Sequence, residues 1–132
     1  MDDERERLRD LSARLTRLHA LLLERERRAY ETHHGSVGSH ELLRLLLHDD
    51  RFAWLRALST MLAQIDAAVD ADDPLTPGDA QRALRETYRL LKSGDAGTFQ
   101  EKYRDALQDS PDVVMAHADV SRVLRELLPR DA

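Results

Sequence analysis

Leucines recur at positions 8, 11, 15, 18 and 22 of the chain, three and four residues apart, with mostly charged and polar residues between them. That alternation keeps one narrow apolar stripe on one side of an α-helix. Asp2–Thr32 is therefore predicted to be a single long helix. Eight arginines and eight acidic residues decorate its other faces, many at spacings where opposite charges are neighbours on a helix surface. A helix of roughly thirty residues is about 45 Å long. The core of a domain this size needs less, so the seam is expected to overhang and meet a partner.

Gly35-Ser36-Val37-Gly38 interrupts the pattern. Ser39 is placed to cap a short second helix, Ser39–His48, whose apolar face is Leu42, Leu43, Leu45 and Leu46. Asp49 or Asp50 then caps a third, Asp50–Ala71, with a wide apolar set of Trp54, Leu55, Leu58, Met61, Leu62, Ile65 and Val69. Between Asp50 and Asp66 only Arg51 and Arg56 are charged, which marks this as the central helix.

Asp72-Asp73-Pro74-Leu75 reads as a turn, followed by a cap at Thr76, a proline in the first helical position and an acid at Asp79. These open a fourth helix, Thr76–Ser93. Gly94-Asp95-Ala96-Gly97 ends it, and a capping box from Thr98 to Glu101 opens a fifth to Gln108. Ser110-Pro111-Asp112 starts a sixth, Pro111–Leu128, stopped by Pro129. Nothing alternates with period two over a useful length. The chain is expected to be all-α, a single domain over residues 1–132 forming a bundle of five to six helices.

Composition narrows the function. The chain has no cysteine, which removes disulfides, thiolate metal sites and cysteine nucleophiles. Its net charge of −5 comes from interspersed signs, so there is no basic field for phosphate backbones. Two Phe, three Tyr and one Trp give no stacking platform for single strands, and nucleic acid is not an expected partner. The first seven residues are too charged for a secretory signal. The longest weakly charged run, Phe52 to Ile65, is too short to span a bilayer. No membrane is expected, and the cytoplasm is the expected compartment. Arginine outnumbers lysine by eighteen to two, which reflects either guanidinium-specific pairing or the coding bias of a GC-rich genome.

Six histidines are the main stock of ligands and acid–base groups. His117 projects close to the line of Val113, Val120 and Leu124. His19 lies at the edge of the leucine seam, with Glu26 seven residues further along nearly the same line. Inward groups on facing helices can build a metal site, so His19, Glu26 and His117 are the candidate metal ligands. The competing reading makes His117 a hydrogen-bonded core imidazole and pairs Glu26 with an arginine. Glu31, His33, His34, His40 and Glu41 bracket the glycine loop. Glu31 and His34 have Glu-x-x-His spacing, but carboxylate-bridged metal bundles need that motif twice, and it occurs once.

Arg56, Thr60 and Gln64 form a polar line on the third helix. They are either its exposed strip or the wall of a groove. In the second case Arg56, with His117, is the candidate anchor for a small anion, since a guanidinium matches carboxylate and phosphate forks.

No Gly-x-Ser-x-Gly elbow, phosphate loop, dinucleotide fingerprint or His-Glu-x-x-His is present, and no cofactor is expected. Phe52-Ala53-Trp54-Leu55-Arg56-Ala57-Leu58-Ser59, after the leucine-rich Glu41–His48 segment, resembles small all-helical bacterial proteins without an assigned activity. The resemblance implies a bacterial, helical protein and transfers no functional residue. The leading expectation is a non-enzymatic helical interaction module whose partner is another protein or a second copy of the chain. The alternative is a bundle holding a metal ion or small anion, and an enzyme with a histidine base ranks last.

Overall fold

The computed structural model describes residues 3–71, 75–92 and 97–127, and every regular element among them is helical. In chain order these are α1 (Asp3–His34), α2 (Ser39–His48), a 3-10 segment (Asp50–Leu55), α3 (Arg56–Asp70), α4 (Pro77–Lys92), α5 (Thr98–Asp109) and α6 (Pro111–Leu127). The bundle with a long first helix is as expected. The turn at Asp72–Asp73–Pro74, the helix bounds at Asp2, Ser93 and Leu128, the Gly94–Ala96 stop and Pro129 lie outside the described residues.

The leucine seam of α1 does not overhang. Leu8, Leu11, Leu15, Leu18 and Leu22 are all 0–1% exposed, because α6 and α3 pack along α1, with the 3-10 segment and α4 adding to its cover. The central element is therefore α1 and not α3. A narrow stripe can be sealed completely by two neighbours in contact with it from either side, whereas α3 keeps one face open. Beyond Leu22 the stripe continues through buried Glu26 to Tyr30, whose ring meets Phe52 edge-on at 5.9 Å.

The predicted third helix is two elements. Asp49 stands in extended conformation and its carboxylate accepts from the Arg51 amide at 2.8 Å, capping a 3-10 segment before α3 begins. A 3-10 helix has three residues per turn and eclipses positions i and i+3. Phe52 and Leu55 consequently fall on one line, and both are fully buried.

Two caps differ from expectation. Ser39 and Thr98 are the first helical residues of α2 and α5, and the N-caps are Gly38 and Gly97, neither with a side-chain acceptor. Thr76 does cap α4, accepting from the Asp79 amide at 3.1 Å, and Ser110 caps α6 through the Val113 amide at 3.3 Å. Gly35, at φ +81°, supplies the left-handed turn that ends α1.

Candidate functional site

The residues singled out by the sequence are dispersed. His19 on α1 faces α3, with Nε2 2.6 Å from Ser59 Oγ. The Ser59 hydroxyl is also 3.2 Å from the Leu55 carbonyl. With its one proton on that carbonyl, Ser59 accepts from His19, which donates from Nε2. Burial lowers the His19 pKa, which keeps the ring neutral.

His117 on α6 meets α5. Its Nδ1 lies 2.6 Å from the Tyr103 hydroxyl. Burial pushes the Tyr103 pKa up, so the phenol keeps its proton and donates it. Burial, and then the charge of Lys92, push the His117 pKa down. The neutral ring therefore accepts at Nδ1 and carries its hydrogen on Nε2. The pair extends an aromatic chain in which Trp54 packs on Phe99 at 5.5 Å and Phe99 on Tyr103 at 5.4 Å.

Glu26, 8% exposed, has Arg51 Nε 3.7 Å from one carboxylate oxygen. That oxygen, Oε2, accepts no hydrogen bond. His19, Glu26 and His117 thus have three separate partners, and among the described residues no three His, Asp or Glu side chains gather as a metal site. The Glu31–Glu41 region is likewise local. Glu31 accepts the Val37 amide at 2.6 Å, fastening the loop, and His34 stacks on Tyr30 at 4.0 Å.

Arg56 is half-buried and bonded to backbone. Its Nε donates to the Leu46 carbonyl at 2.8 Å and Nη2 to the Asp49 carbonyl at 2.9 Å. It closes the carboxyl end of α2, whose last carbonyls have no helical donor. Arg5 of α1 does the same for α3, donating to the carbonyls of Val69 and Ala71. A fork of donors in one plane serves two carbonyls at once, which a lysine ammonium does less well. In these two places the arginine bias has a structural use.

Arg56, Thr60 and Gln64 also line an open groove of about 550 Å³ between α3 and α4, with an apolar floor of Ala57, Met61 and Leu90. Glu86, Arg89 and Gln100 complete its rim. The strip is both exposed and a groove wall.

Sequence reasoning missed an exposed leucine pair on α2, the helical counterpart of exposed Val114 and Met115 on α6. α2 carries five leucines, of which only Leu45 is buried. Leu42 and Leu46 are half-buried, whereas Leu43 and Leu47 are each 54% exposed. At 100° per residue, positions 43 and 47 lie 160° from Leu45, one on each side of the opposite pole. The signal was legible as an apolar arc of about 200° at 100° per residue, too wide for one neighbouring surface to cover.

No helix among the described residues is long and apolar enough to cross a membrane. No family model matches the chain, and neither the characterised proteins nor the solved structures compared with it gave a match.

Proposed function

We propose that this chain is a helical interaction module whose contact surface is the outward face of α2. The observation that carries this reading is the pair Leu43 and Leu47, each 54% exposed and one helical turn apart. The seam of α1, the surface favoured by the sequence pattern, is consumed inside the molecule and has nothing left to offer a partner. A bacterial setting, supported by the Phe52–Ser59 resemblance, and a cytoplasmic one belong to the same proposal. The test is a photoreactive amino acid introduced at Leu43 or Leu47 of the full chain in living cells, with exposed Ala13 of α1 as the control position. Adducts from α2 and none from position 13 are expected. No adduct from either α2 position contradicts the proposal.

A second reading rests on the α3–α4 groove, where a small anionic amphiphile would lay its apolar part on Met61 and Leu90 near Arg56. Native mass spectrometry of protein isolated without chelator tests it. A retained mass, lost when Thr60→Trp fills the groove, supports the reading, and bare protein contradicts it.

A further inference from the structure

We infer that the partner of α2 is α2 of a second copy, packed antiparallel across a two-fold axis near Leu45. This rests on the interaction-module reading and gives it an occupant. Leu43 and Leu47 are equidistant from that axis, so a half-turn lays Leu43 of each copy on Leu47 of the other. One patch therefore completes itself, as a two-fold interface requires.

Charge and helix ends agree with this direction. The amino end of α2 is capped only by Gly38, with no side-chain acceptor, and a helix amino end carries partial positive charge. The carboxyl end runs into Asp49 and exposed Asp50. Antiparallel packing brings each acidic end beside the other copy's amino end, where the one first-turn acid, Glu41, is already paired with Arg44. Parallel packing would instead set acid against acid. Arg44, on the flank of the contact, is neutralised within its own chain by Glu41 at 2.8 Å. The same acids, on a chain of net charge −5, disfavour the anionic lipid surface that an exposed leucine pair would otherwise suit.

A ten-residue helix is about 15 Å long, and two copies of it bury less than the area typical of permanent complexes. The association is accordingly weak and concentration-dependent.

Sedimentation velocity on the full chain, from micromolar to millimolar concentration, tests the pairing. Wild type is expected to move toward twice the monomer mass, and Leu43→Glu/Leu47→Glu to remain monomeric with unchanged far-ultraviolet circular dichroism. Direction is read from single-cysteine variants of the cysteine-free chain. Tagged Leu43→Cys mixed with untagged Leu47→Cys is expected to oxidise preferentially to the mixed pair. His40→Cys alone should not cross-link, because antiparallel packing holds the two copies of that position about 15 Å apart along the axis. A wild type that stays monomeric at millimolar concentration overturns self-pairing, as does a double variant that still associates. Efficient oxidation of His40→Cys overturns the antiparallel arrangement. If the photoreactive chain still captures a different protein through Leu43 while wild type remains monomeric, self-pairing fails and the interaction-module reading survives. If neither occurs, both fall.

Discussion

Single residues show how polar groups are managed inside this bundle. Arg56 donates to the Leu46 carbonyl, which α2 cannot satisfy itself, and to the Asp49 carbonyl, which also accepts the Phe52 amide, and hydrogen bonds to a charged group contribute about 1.5–3 kcal/mol each. Arg56→Ala is expected to lower stability by about 2 kcal/mol in urea unfolding and to speed amide exchange at the end of α2. Arg56→Lys should recover part of that loss. At the other buried contact, Tyr103 donates to neutral His117. Tyr103→Phe removes the donor that favours the neutral ring, so the His117 pKa, followed by NMR, is expected to rise while stability falls by about 1 kcal/mol.

The same histidines set a pH dependence. Burial lowers both His19 and His117, so the unfolded chain takes up protons first as pH falls below about 6.5. Their contribution is complete above that value and is lost as pH drops through the lowered folded pKa values. Urea midpoints are expected to fall between about pH 7 and about pH 5. The slope should flatten in His19→Gln/His117→Gln, even though that variant is less stable throughout. These roles were only partly legible in the sequence. Spacing placed His117 and His19 near apolar faces, but it gives no distance between helices, and a partner such as Tyr103 or Ser59 comes from another element.

At the scale of elements, two leucine-rich helices have opposite fates. In α1 the leucines occupy one stripe, and a stripe can be sealed, so the whole seam is interior. Leu15→Ala is expected to cost about 2–5 kcal/mol in a urea titration, lowering the stability of the monomer without changing its association. In α2 the leucines spread over more than half of the circumference, and only the side at Leu45 is buried in the core. Helix existence was readable from periodicity and from caps such as Thr76 and Asp49. The division of Asp50–Ala71 was not, since Phe52, Trp54 and Leu55 satisfy a continuous helix pattern nearly as well. The tighter winding of the 3-10 segment aligns Phe52 with Leu55, and Arg56 ties the end of α2 beside it.

For the molecule as a whole, the order of packing decides what remains available to a partner. Placing α1 at the centre removes its seam from the surface and leaves the outer face of α2, the exposed Val114 and Met115 of α6 and the α3–α4 groove. The sequence alone favoured α1 as the contact because length and leucine spacing are local quantities, whereas availability depends on which neighbours arrive. The most direct test of the resulting account is a concentration series of backbone amide NMR spectra on the uniformly labelled chain. Changes centred on residues 39–50, absent in Leu43→Glu/Leu47→Glu, are the predicted result. Changes spread along α1, or spectra that stay the same at every concentration, would contradict it.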